Sequence, residues 1–284
     1  MKRIVFATFG SFGDLHPYIA VARELSRRGH RPLVASFAEF RDAVEAAGVE
    51  FAPMRPDMAG FGDRTAVMER LVDPWRGPEF LVRGMFMPHL RESYEDLASV
   101  CRGADLLVTH PLAFAGQLLS QKEGLRWVST ALSPITLFSA LDPPVLPAAP
   151  WMRWARRLGV APYRWLFRIP RAIVRRWEAP LRAFRAELGL PPTDKLAQFE
   201  GQFSARLHLA LFSGVLAAPQ PDWPANTVVC GFPRYDGAAP DARTRSDLET
   251  FLAAGEPPIV FGLGSSAVMV AGGFWRAAIE AAHA

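Results

Sequence analysis

The chain has 284 residues, half of them hydrophobic and 21% charged, with a formal net charge of +4. That balance fits a globular protein of one large domain or two and excludes a disordered chain. Its only cysteines, Cys101 and Cys230, offer neither a disulfide framework nor a zinc spacing, and no apolar run reaches the roughly 18 residues of a membrane span.

Lys2-Arg3 and the apolar residues 4–7 imitate a secretion signal. They run into Gly10, Gly13 and Asp14 without a small-residue cleavage site, so residues 4–7 read as a buried strand in a cytoplasmic protein. From Pro17, residues Tyr18, Val21, Ala22 and Leu25 share one helical face, and Gly29 ends that helix. A strand over 32–36, a helix through Phe40, Val44 and Ala47, and a strand over 49–52 follow. Residues 53–78 read as a long loop, 79–101 as a helix, 105–109 as a strand, 112–122 as a helix and 127–131 as a strand. Such alternation is the mark of βαβ units and a parallel sheet. Residues 133–150 are irregular and Pro-rich, and Arg-rich helices fill 151–188. Short strands near 207–212 and 228–229 come next, then a Pro/Gly/Asp-rich linker over 233–258 with a small helix near 248–253. The pattern restarts with a strand at 259–263, a Gly264-Ser265-Ser266 turn and a helix over 273–282.

The stretch TFGSFGDLHP, residues 8–17, places chemistry in the turn after the first strand. Open α/β sheets bind ligands at such strand ends. Asp14 there is either a general base or a helix cap, since Asp is a favoured N-cap. Ser11 bonds a ligand hydroxyl or its own backbone, His16 packs, caps or acts, and Gly10 and Gly13 permit a tight turn. His110 ends the 105–109 strand as a core, turn or functional histidine. Ser265 and Ser266, between strand and helix, suit a diphosphate. Trp151, Trp154, Trp165 and Trp177 alternate with Arg153, Arg156, Arg157, Arg164, Arg168, Arg171, Arg175 and Arg176. They form a solvated helix face with a Trp core, the wall of an apolar pocket, or an anionic-membrane surface over 151–185. No recognition motif supports nucleic acid.

Five segments in order carry a resemblance: GSFGDLHP (10–17), DLLVTHPLAFAG (105–116), WVSTALSP (127–134) with DPPVLP (142–147), PQPDWPANTVVCGF (219–232), and PPIVFGLGSS (257–266). Together they make the chain resemble the N-terminal part of a GT-B-fold family 1 glycosyltransferase of the bacterial natural-product and sterol glucosyltransferase type. The resemblance implies a Rossmann-like acceptor domain over 1–232, a linker over 233–258 and the start of a nucleotide-sugar domain over 259–284. The donor-binding region of such enzymes lies beyond residue 284, which makes the chain a fragment or a natural truncation. It implies an inverting hexosyltransferase acting from a UDP- or dTDP-sugar on a lipophilic sterol, lipid or polyketide-like alcohol, with no resident cofactor or metal. By the same resemblance Asp14 is the base. His110 stands close to the place where many relatives carry an Asp, so the usual His/Asp pair is inverted. That inversion requires the two side chains within about 8 Å, in reach of a hydrogen bond or one water. Desolvation is expected to raise the Asp14 pKa. Ser11, Phe12, His16, Ser133 and Pro134 are expected at the acceptor, and Gly264, Ser265 and Ser266 at the donor phosphates. A non-catalytic acceptor-binding module is the alternative. A nicotinamide oxidoreductase is disfavoured, because the opening turn lacks the third glycine of the dinucleotide fingerprint.

Overall fold

The structure is a computed structural model that describes residues 1–145, 150, 154, 157, 159–237 and 241–283. Trp151, Arg153, Arg156 and the end of the DPPVLP segment lie outside the described residues.

Seven strands form one parallel sheet: β1 (Arg3–Ala7), β2 (Arg31–Ser36), β3 (Glu50–Pro53), β4 (Leu106–Thr109), β5 (Trp127–Ala131), β6 (His208–Ala210) and β7 (Thr227–Val229). Their order is β3-β2-β1-β4-β5-β6-β7. The inner strands are apolar almost throughout because helices cover both faces, as the continuous buried runs in β1, β2 and β5 show. Tyr18, Ile19 and Ala22 of helix α1 (Phe12–Arg27) join Phe6, Val34, Leu107 and Leu118 in the main core.

The order reverses direction at β1. The chain leaves β1 toward β2 and β3 on one side, then returns to place β4 on the other. Ala7 pairs with Ala35 and with Thr109, so the carboxyl ends of β1 and β4 lie side by side while their following loops diverge. A crevice at this switch point is the ligand position of doubly wound sheets.

The elements depart from the sequence reading in several places. Helix α1 begins at Phe12, not Pro17, because Ser11 and Asp14 satisfy its first free N–H groups; Pro17 then sits inside the helix and leaves one intrahelical bond unmade. The long loop at 53–78 holds α3 (Arg64–Val72), which follows α2 (Arg41–Ala46); Val67 is its one buried residue, so it has no apolar stripe to betray it. The helix expected over 79–101 is split. A wide-turned segment, Phe80–Phe86, precedes α4 (Leu90–Val100). After α5 (Phe114–Glu123), the Arg-rich region folds as α6 (Val160–Leu166), α7 (Arg168–Trp177) and α8 (Ala179–Glu187). Within the linker, α9 (Ala242–Ala253) is longer than expected. Residues 259–263 are exposed or nearly so and pair with no strand among the described residues, so the expected strand is not formed, whereas the helix that follows is (α10, Phe274–His283). A strand needs a neighbour to take its backbone hydrogen bonds. No helix is long and apolar enough to cross a membrane among the described residues.

Candidate active site

The turn after β1 is built around one carboxylate. Ser11 caps α1, its hydroxyl accepting from the Gly13 N–H at 3.2 Å. Asp14, three residues on, returns the favour: its Oδ2 accepts from the Ser11 N–H at 2.7 Å and the Ser11 hydroxyl at 3.1 Å. This capping box pins the carboxylate back over Gly10. Gly10 has φ +128°, and a Cβ there would stand 2.2 Å from Asp14 Oδ2. Only glycine serves both the backbone and the space.

Asp14 is therefore a cap and more than a cap. Its second oxygen, Oδ1, lies 3.4 Å from His110 Nε2. His110 follows β4, and its N–H donates to the Ala7 carbonyl at 2.9 Å, which ties one strand end to the other. The Leu112 N–H donates to His110 Nδ1 at 3.2 Å. That bond makes Nδ1 an acceptor and assigns the ring proton to Nε2, facing Asp14. His110 is buried, whereas the Asp14 side chain keeps 33% of its surface.

Burial pushes the Asp14 carboxyl up, but the His110 ring and the two Ser11 donors outweigh it and hold the group below its ordinary value. The expected rise is corrected: partial desolvation is real here, and three donors defeat it. Beneath the pair runs a polar chain with no local sequence signal. The Tyr18 hydroxyl bonds Thr130, whose hydroxyl donates to the Thr109 carbonyl at 2.9 Å, and the Trp127 indole donates to the Thr109 hydroxyl at 2.7 Å. The Tyr18 ring stands edge-on to His110, centroids 6.3 Å apart, and burial keeps its phenol protonated far above neutral pH.

Ser265 and Ser266 come close to this turn. With Gly10, Ser11, Phe12 and Arg64 they line a cavity of about 120 Å³, one wall of which carries an ion pair between Arg64 and Glu39 at 3.2 Å. Gly264 accepts the Val268 N–H within the short turn that follows, and α10 starts at Phe274, so no long helix N-terminus addresses this spot. Phe12 is partly exposed and packs against Phe40 and His16. His16 is wedged between Phe12 and Tyr235, and burial pulls its pKa below the ordinary value. Ser133 and Pro134 open a turn on the carboxyl side of β5, where the Ser133 carbonyl accepts from the Thr136 hydroxyl. They share the sheet edge with the Asp14–His110 pair without bonding to it. Asp222, from the 219–232 segment, fixes the neighbouring loop: its carboxylate accepts from the Ser139 hydroxyl and the Ala140 N–H, both at 2.7 Å.

Parts of this chain are similar to known proteins. The glycosyltransferase family 28 N-terminal domain matches residues 4–85. O-mycaminosyltylonolide 6-deoxyallosyltransferase of Streptomyces fradiae is 32% identical over 276 residues, which is 93% of this chain and 61% of that protein. The chain is thus similar to a glycosyltransferase over nearly its whole length. Another relative, the sterol 3-beta-glucosyltransferase of Neurospora crassa, is 31% identical over 137 residues, 47% of this chain and 8% of that much longer protein. The solved glycosyltransferase SsfS6 of Streptomyces sp. SF2575, complexed with thymidine diphosphate, is similar in fold. Its TM-score is 0.50 at 19% identity, over 84% of this chain and 55% of that one. The chain spans about three fifths of the length of that S. fradiae relative.

Proposed function

We propose that this chain is the acceptor-binding part of an inverting glycosyltransferase that moves a hexose from a nucleoside diphosphate to a hydroxyl of a lipophilic alcohol. One observation carries the reading: a half-exposed carboxylate, braced by Ser11 and His110, stands at the switch point of the sheet. The alcohol O–H donates to Asp14 Oδ1 and its proton passes to that oxygen. The alcohol oxygen attacks the anomeric carbon from the face opposite the diphosphate, and the carbon–oxygen bond to the diphosphate breaks. His110 does not take the proton, because Nδ1 is engaged by the Leu112 N–H and Nε2 already carries hydrogen. It orients the carboxylate by presenting its Nε2–H to Oδ1. That Ser265 and Ser266 line a cavity beside this turn supports a contact with the departing phosphates. In this reading the chemistry asks for no metal.

The names of the relatives support the acceptor and donor classes: a macrolide-type and a sterol acceptor, and thymidine diphosphate in a protein of the same fold. We further propose that α6 and α7 meet the lipid surface from which such an acceptor comes. Trp165, Ile169 and Ile173 form an exposed stripe there, flanked by Arg164, Arg168, Arg175 and Arg176. The test of the reaction joins this chain to the donor-binding domain of its S. fradiae relative and supplies α-linked UDP- or dTDP-hexoses with a macrolide aglycone or a sterol. A β-linked product, read from its anomeric proton coupling, is expected. An α-linked product contradicts inversion, and acceptor binding without turnover favours a non-catalytic module.

A further inference from the structure

On the amino-terminal edge of the sheet, opposite Asp14, one arginine is out of place. Leu181, Phe184 and Arg185 of α8, with Leu188 just past its end, follow the i, i+3, i+4, i+7 spacing of a core-facing stripe. Arg185 is 7% exposed, as buried as its apolar neighbours. Its Nε–H donates to the Pro191 carbonyl at 2.6 Å. No carboxylate lies within ion-pair reach of it among the described residues. The nearby acids are committed elsewhere. Glu200 pairs with Arg171 and Asp194 with Arg175, while buried Glu178 accepts the Ala197 and Gln198 N–H groups.

A guanidinium removed from water without a counter-charge is costly, and burial pulls the Arg185 pKa below its ordinary value. The space around it explains the arrangement. Two cavities, of about 390 and 480 Å³, both reach Arg185 and Thr193. The larger runs along the start of β5 and the approach to β6, past Gln121 and Ser204, and carries Lys195, Arg206 and Glu200, the last paired with Arg171. Neither Lys195 nor Arg206 has a carboxylate partner among the described residues. A volume near 480 Å³ is that of a small-molecule site. A planar guanidinium held by one Nε bond still presents its terminal N–H pair, the fork that grips phosphate or carboxylate oxygens.

We propose that this cavity is a second ligand site, distinct from the reaction centre, which binds a small polar molecule through a phosphoryl or carboxylate oxyanion seated on Arg185. Lys195 and Arg206 draw the anion in, and the Gln121 and Ser204 side contacts its uncharged part. Such a site couples to the sheet through Ser204, whose N–H donates to Ser129 of β5 and whose hydroxyl donates to the Trp127 carbonyl.

The test is a calorimetric and thermal-shift titration of the whole 284-residue chain with inorganic phosphate, glucose 1-phosphate, citrate, and vesicles of phosphatidylglycerol. Saturable binding of at least one soluble anion is expected, with a rise in melting temperature. Arg185→Met, which keeps the apolar stem, should weaken it by about tenfold or more, as loss of a charge-assisted bidentate contact does. The exposed pair Lys195→Gln/Arg206→Gln should weaken it about threefold to tenfold without altering the melting temperature of the free chain, which keeps the test decisive if Arg185→Met folds poorly. Binding to vesicles alone assigns the cations to a lipid surface and overturns the site. So does the absence of saturation by every anion, or an affinity unchanged in the Lys195/Arg206 variant.

Discussion

Single residues here have duties that conflict until the structure is consulted. Asp14 closes a capping box with one carboxylate oxygen and faces His110 with the other. Its lowered pKa means that the carboxylate is fully ionised at neutral pH and that stability drawn from its bonds is lost only in acid, as pH falls through that lowered value. His208 behaves differently. It is fully buried in β6, its Nδ1 bonded to the Ser129 hydroxyl and its Nε2 without a partner, and burial drives its pKa down to about 4. The unfolded chain takes up a proton near the ordinary 6.5 while the folded chain does not, so stability is full above that value and declines as pH falls toward 4. The span predicts a loss on the order of 3 kcal/mol from this one residue. Urea denaturation at pH 7.5, 6 and 5 should show the wild type losing stability faster than His208→Asn. Parallel pH slopes would show that the imidazole carries no such linkage.

At the scale of elements, the inner strands were legible because strands buried on both faces are uninterrupted apolar runs. The start of α1 was misplaced because Pro17 is a strong local signal for a helix start, while a capping box between Ser11 and Asp14 is decided by geometry. Residues 259–263 have strand composition and no neighbour, and composition cannot supply one. The pair itself was half legible: a Gly/Ser/Asp turn and a strand-end histidine point to a site, but the tautomer of His110 rests on the Leu112 N–H. The Tyr18–Thr130–Thr109 chain and the Asp222 anchor are invisible locally, because each joins residues far apart in sequence. Arg185 was hidden among many arginines. The stripe on α6 and α7 was legible from Trp/Arg interleaving, and the structure adds that Trp165, Ile169 and Ile173 are exposed together. The chain is expected to co-sediment with phosphatidylglycerol vesicles, less so at high salt, and the triple change to serine at those three positions should abolish it. Equal sedimentation by the variant would refute the contact.

At the scale of the whole molecule, the order of the strands brings distant groups together at the turn after β1. Because β1 and β4 are neighbours with Ala7 level with Thr109, a carboxylate and an imidazole nearly a hundred residues apart meet within 3.4 Å. Ser265 and Ser266 line a cavity beside Gly10, Ser11 and Phe12 of the turn that carries Asp14. The most direct measurement is transfer by the chain joined to its relative's donor domain, comparing wild type with Asp14→Asn, alongside acceptor affinity measured separately. The amide keeps the size of the carboxylate and one acceptor for the Ser11 N–H. The account predicts that kcat falls by about 10²- to 10⁴-fold, the usual contribution of a general base, while acceptor affinity changes by less than about threefold. Transfer at the wild-type rate by Asp14→Asn would contradict it.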